Sequence, residues 1–141
     1  MPVEFVLDAS VAAKVIFQER GTLAARSLVM SGSRLIAPDL IYAEMASIAA
    51  KQVRRHGTPQ AEARRAISEL RRLLNETIPL IDLVEAAFDL AAQHGFSAYD
   101  GTYLALARTR GLVVVTADVK FMRKAAEAGL ADHVTLLAME G

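Results

Sequence analysis

Short apolar runs alternate with longer segments of helical periodicity, and no other feature of this sequence constrains its fold as much. Val3–Leu7 is apolar apart from Glu4, Leu35–Ala37 is shorter, Leu112–Val115 reads LVVV, and Val134–Leu137 closes the series. An uninterrupted apolar run suits a strand covered on both faces, as strands of parallel sheets are. Ile78–Ile81 reads as an edge strand, because Pro79 cannot donate to a ladder. Thr58-Pro59 predicts an N-cap and first helical residue, followed by apolar residues at helical spacing from Ala63 to Leu74. Ser97 predicts the cap of a helix reaching about Arg110, and Pro38–Arg55 reads as a helix. Gly57, Gly95, Gly111 and Gly129 each follow a helical pattern, where glycine accepts the left-handed turn. The order predicts an α/β chain: a parallel sheet, helices on its faces and right-handed crossovers. Ligands of such open sheets bind beyond the carboxyl ends of the strands.

The 141 residues suffice for one domain and one core, and at this length folding buries about 70% of the extended surface. Hydrophobic residues make up 53%, enough to exclude global disorder. Without cysteine there are no thiolate metal sites, redox pairs or disulfides. Glu4 and Asp8 interrupt the first apolar run, unlike a secretory leader, and no uncharged stretch reaches the roughly 18 residues of a membrane span. The expectation is a soluble cytoplasmic protein. Formal net charge is zero, so global charge gives no argument for nucleic acid.

Four carboxylates stand in unusual contexts. Asp8 ends the first strand, in LDAS, and Asp118 follows LVVV, in TAD. Glu44 lies between Ile41 and Ile48 at helical spacing, beside the apolar face of its helix. Asp100 shares its face with Tyr103, Leu104 and Ala107. Two of these acids sit at strand ends, and two in helix N-terminal halves that reach the same rim. Two unit charges 4 Å apart repel by about 4 kcal/mol at an effective dielectric of 20. Protonation relieves that repulsion, and so does a hard divalent cation such as Mg2+ or Mn2+, which prefers oxygen ligands. The chemistry implied is metal-assisted hydrolysis of a phosphodiester. Each acid also has a structural reading: Asp8, Asp100 and Asp118 as helix caps, Glu44 as a boundary residue with a wet head. Ser10, Thr116 and Asp39 read as caps or turn formers.

Four segments carry a family likeness: FVLDASVAAK, IAPDLIYAEMASI, HGFSAYDGTYLALARTRGLVVVTADVKF and the closing strand. The chain resembles a PIN domain, most closely a VapC-type toxin of a toxin–antitoxin pair, over essentially its whole length. The resemblance implies a single three-layer α/β/α domain over residues 1–141, with a central, mostly parallel sheet of four to five strands. It carries the family's acidic metal site onto Asp8, Glu44, Asp100 and Asp118, with Ser10 and Thr116 in support. It also implies an Mg2+- or Mn2+-dependent endoribonuclease that uses water as nucleophile, a homodimer and a cognate antitoxin. Gly101 departs from the alanine commoner there and adds flexibility to its helix.

Between residues 51 and 72 seven Lys or Arg face two Glu, a local charge of +5. Arg54, Arg55, Arg64 and Arg65 of this stretch are candidate RNA contacts; the alternative is a solvated helix face. Aromatic residues are 6% of the chain, which argues against stacking platforms, and Tyr42, Tyr99 and Tyr103 read as core residues with wet hydroxyls. A catalytically silent PIN-like module that binds RNA or protein is the competing function. A phosphoryl-receiving domain fits less well, since Asp8 stands without a paired acid and Thr116-Ala117-Asp118 follows LVVV where a lysine is wanted, and so does an aspartate-nucleophile phosphohydrolase, since Ser10 stands where its second aspartate is wanted.

Overall fold

In the computed structural model, which describes residues 3–138, the chain forms a five-stranded sheet of order β3-β2-β1-β4-β5. The strands are β1 (Glu4–Leu7), β2 (Arg34–Pro38), β3 (Glu76–Ile78), β4 (Val114–Thr116) and β5 (Val134–Leu136), and every pairing is parallel. Between them lie α1 (Ala9–Ile16), α2 (Thr22–Met30), α3 (Leu40–His56), α4 (Gln60–Leu73), α5 (Val84–His94), α6 (Ala98–Arg110) and α7 (Val119–Glu127). The chain steps outward from β1 to β2 to β3, then returns to β4 and steps the other way to β5. Right-handed crossovers therefore place α1–α4 on one face and α5–α7 on the other. The packing agrees: α1 contacts α3 and α4, α5 contacts α6, and α6 lies on β1, β2 and β4. This is the three-layer α/β/α arrangement with a parallel sheet.

Both faces being covered explains the apolar strands. Val6, Leu7, Leu35, Ile36, Ala37, Val114 and Val115 are all buried. The edge strand begins earlier than Ile78–Ile81: it is Glu76–Ile78, and Leu80–Asp82 is a 3-10 turn. Pro79 ends that strand instead of sitting within it. The fourth strand runs later than LVVV, over Val114–Thr116, and α3 starts two residues after Pro38. Pro59 is the cap of α4 rather than its first residue, so that helix starts one residue late.

At the strands' amino ends Arg34 pairs with Glu4 at 2.6 Å and Glu76 at 2.8 Å, and Arg110 pairs with Glu76 at 2.9 Å. The Arg110 guanidinium is the main reason the Glu76 carboxyl sits below its ordinary range. This exposed network ties β1, β2, β3 and α6 together at the end of the sheet opposite the acids. Gly101 has a role that its flexibility does not describe. A Cβ there would lie 2.9 Å from the Ala87 carbonyl oxygen and 3.2 Å from the Ala87 Cα. The absent side chain lets α6 approach the backbone of α5.

Candidate active site

β1 and β4 are neighbours, but their outgoing chains turn to opposite sides. The sheet's switch point therefore lies between their carboxyl ends, and Asp8 stands there. Its backbone N–H continues the ladder to the Val115 carbonyl at 3.1 Å. Its side chain is only 7% exposed. The hydroxyls of Ser10 and Thr116 both donate to Asp8 Oδ2, at 2.7 and 2.6 Å. The same two oxygens accept the next loop's N–H groups, Ser10 Oγ from Ala117 and Thr116 Oγ1 from Asp118, each at 3.0 Å. Ser10 and Thr116 thus tie the β4–α7 loop to the Asp8 carboxylate, a larger task than capping. Although Asp8 occupies the cap position of α1, its carboxylate makes no cap bond. Burial pushes the Asp8 carboxyl above its ordinary range against the pull of both hydroxyls, and Asp118 adds to the rise.

Glu44 is the fifth residue of α3, with Ile41 fully buried behind it and Ile48 half-buried. Its Oε1 accepts a 2.6 Å hydrogen bond from the Tyr103 hydroxyl, and Tyr103 is fully buried. That hydroxyl therefore meets an acid instead of water. Burial raises the Glu44 carboxyl; the tyrosine bond opposes the rise, while Asp8 and Asp100 add to it. Burial, then Glu44 and Asp8, hold the Tyr103 hydroxyl well above its ordinary range, so it stays a donor.

Asp100 occupies the first turn of α6. Ser97 caps that helix as anticipated, its Oγ accepting the Asp100 N–H at 3.1 Å. The Asp100 carboxyl is pushed up to about 6, first by burial and then by the charges of Asp8 and Asp118, with Ser97 and Lys124 pulling the other way. Asp118 is exposed and does cap α7, accepting from the N–H groups of Lys120 at 2.9 Å and Phe121 at 3.3 Å. It serves as a cap and as a charge on the rim. Asp39 makes no cap bond; its Oδ1 accepts the Leu80 N–H at 2.9 Å and ties α3 to the turn after β3.

The acids thus feel one another: Asp8 with Asp118, Asp100 with Asp8 and Asp118, Glu44 with Asp8 and Asp100. Among the described residues, no three carboxylate or imidazole groups close around a single ion position. The donors are nonetheless all oxygen, anionic and mutually repelling. Such a set fits an ion that takes few protein ligands and fills its shell with water and phosphate oxygen, as magnesium does.

Beside the acids a cleft of about 550 Å³ opens between α3 and α6, with Glu44, Ser47, Ile48 and Lys51 on one wall and Tyr99 and Asp100 on the other. Arg54, Arg55, Arg64 and Arg65 are all exposed on the α3–α4 hairpin and do not line it. Lys51 lines it, and Lys124 acts on Asp100. Tyr99 is 62% exposed, not a core residue. Sequence reading missed Tyr103 as the holder of Glu44, Lys51 as part of the site and Tyr99 as its aromatic edge. For Lys51 the signal was present, since it lies seven residues, two helical turns, beyond Glu44 on the same face.

The family model of the PIN domain matches residues 5–127. The chain belongs to the PIN-domain family. This PIN domain is 34% identical over 115 residues to the protein named ribonuclease VapC9 of Mycobacterium tuberculosis, covering 82% of this chain and 86% of that one. That likeness sets it among the VapC-type PIN domains. Two solved structures share the fold. Mycobacterium tuberculosis VapC20, described as a sarcin–ricin loop cleaving toxin, superposes with a TM-score of 0.69 at 18% identity, over 96% of this chain and 99% of its own. A toxin–antitoxin complex from Klebsiella pneumoniae superposes with a TM-score of 0.61 at 18% identity, over 93% and 95%.

Proposed function

We propose that this VapC-type PIN domain, one domain over residues 1–141, is an endoribonuclease that hydrolyses RNA phosphodiesters with Mg2+ or Mn2+. Its biological role is then that of the toxin in a toxin–antitoxin pair. The observation that carries the reading is the mutual burial and repulsion of Asp8, Glu44 and Asp100 at the sheet's switch point. Asp8, Glu44 and Asp100 would hold the cation, part of the contact running through its bound water, with Asp118 at the rim. A divalent ion in such a site supplies Lewis acidity toward phosphate and water. Ser10 and Thr116 both fix Asp8 by its Oδ2, so neither hydroxyl occupies Oδ1. Tyr103 holds Glu44 by Oε1 in the same way. Asp118 is steadied by the two α7 N–H groups, so its charge keeps its place while substrate exchanges. In this reading the protein works in the cytoplasm as a homodimer and is silenced by a cognate antitoxin protein. Among the described residues no helix is long and apolar enough to cross a membrane. The exposed Arg54, Arg55, Arg64 and Arg65 would gather RNA on the α3–α4 hairpin.

Sequencing of RNA 5′ ends after induced expression tests the reading, together with cleavage by purified protein. Cleavage should need Mg2+ or Mn2+, stop in chelator, and be lost in Asp8→Asn and Asp100→Asn with the fold intact. Cleavage that persists in both variants would overturn the assigned site. A folded wild type that cuts no RNA would favour the silent binding module.

A further inference from the structure

The α3–α6 cleft has three features that the acid cluster does not use. Its mouth carries a large aromatic ring left mostly in water, Tyr99, at 62% exposure. Its lining includes Lys51, which makes no ion pair among the described residues. Ser47 and Ile48 line the same cleft. Tyr99 directly precedes Asp100, so the ring is anchored to the first turn that sets the acid. Lys51 stands about 10 Å along the α3 axis from Glu44, at 1.5 Å per residue. With the reach of a lysine side chain, that spacing suits the phosphate next to the one under attack. The cleft's 550 Å³ falls within the roughly 300–1,000 Å³ of small-ligand sites.

We propose that this cleft is a nucleotide subsite: Tyr99 stacks on one unpaired RNA base, and Lys51 takes the phosphate flanking the scissile one. The inference rests on the endoribonuclease reading and adds where the chain beside the cut is held. An exposed aromatic ring offers any base a stacking face, and a lone cation beside it tracks the backbone. A base can lie on Tyr99 only when it has left its own stack, so the subsite selects single-stranded RNA, such as a loop, over duplex.

The test measures binding of end-labelled, mixed-sequence single-stranded RNA in the Asp8→Asn background, and of the same backbone carrying abasic sites. Alongside it, wild-type protein is assayed for RNA cleavage. Tyr99→Ala should weaken binding of the base-bearing RNA by about 5- to 100-fold, while Tyr99→Phe binds as the parent does. The abasic chain should not distinguish Tyr99→Ala from its parent. Lys51→Ala should flatten the plot of log affinity against log salt by about 0.7. Equal affinity of Tyr99→Ala and its parent for base-bearing RNA would overturn the subsite even where the wild type cleaves. A Tyr99→Ala loss of equal size on the abasic chain would also overturn it, since stacking would not be the cause. Failure of the wild type to cleave any RNA removes the endoribonuclease reading, whatever Tyr99 does.

Discussion

Asp100 is the acid whose replacement is most informative, because its charge is held at a cost in the folded protein. Its carboxyl titrates near 6 in the fold, against an ordinary value of 3.8. A tenfold change in a proton equilibrium is worth about 1.4 kcal/mol, so the gross cost of the charge at neutral pH is about 3 kcal/mol. The side chain is partly exposed, and solvent screening cuts this to about 1–2 kcal/mol. Its place in the first turn of α6 returns about 0.5 kcal/mol through the helix dipole. Asp100→Asn should therefore stabilise the metal-free protein by about 1 kcal/mol, a rise of about 3–5 °C in Tm for a domain this size. The sign follows from linkage. The folded pKa is raised, so the folded state binds the proton more readily, and the destabilisation is present above pH 6. It fades as pH falls through 6 and is gone below 3.8. Thermal melts in chelator across that window should show the variant's advantage at neutral pH and its disappearance in acid. Magnesium should then raise the wild-type Tm and leave the variant nearly unmoved. A variant that melts lower than wild type at neutral pH in chelator would show that Asp100 is a structural cap and that its charge is not strained.

Three further outcomes are expected. Gly101→Ala gains about 1 kcal/mol of helix propensity but places a methyl 2.9 Å from the Ala87 carbonyl, an overpacking cost of about 1–3 kcal/mol. Urea unfolding should show a net loss, and a stabilised variant would mean that α5 and α6 do not meet there. Tyr103→Phe removes the donor that fixes Glu44, and calorimetric titration should find divalent-ion affinity about tenfold weaker or more. Unchanged affinity would show that Tyr103 does not position Glu44 for the ion. Paired charge reversal at Arg64 and Arg65 should weaken RNA binding and flatten its salt dependence by about 0.7 for each phosphate no longer neutralised; an unaltered slope would remove the hairpin from the RNA path.

The sheet was legible because burial on both faces leaves a plain signature, as in LVVV. Helix ends were legible where a single residue decides them: Gly57, Gly95 and Gly111 all adopt the left-handed conformation beyond their helices. The edge strand was read too late because Glu76-Thr77-Ile78 is not an apolar run; an edge needs burial on fewer sides. Asp8, Glu44, Asp100 and Asp118 could be picked out because carboxylates beside apolar residues are conspicuous. What surrounds them could not. Nothing within a few residues of Tyr103 shows that its hydroxyl meets Glu44, 59 positions away. Ser10 and Thr116 likewise look like turn formers until the fold puts both on one oxygen. Tyr99 was misplaced for a related reason: composition counts aromatic rings but does not say which ones stay in water.

The bond from Thr116 to Asp8 spans 108 positions, and it exists only once β4 has docked beside β1. A ribosome making this protein has therefore released the chain through the fourth strand before the first acid meets its last partner. Nascent chains lack the assembled centre, and so does any product truncated before the fourth strand. A cell that translates the message is exposed to the activity only after the fourth strand has been made and has docked.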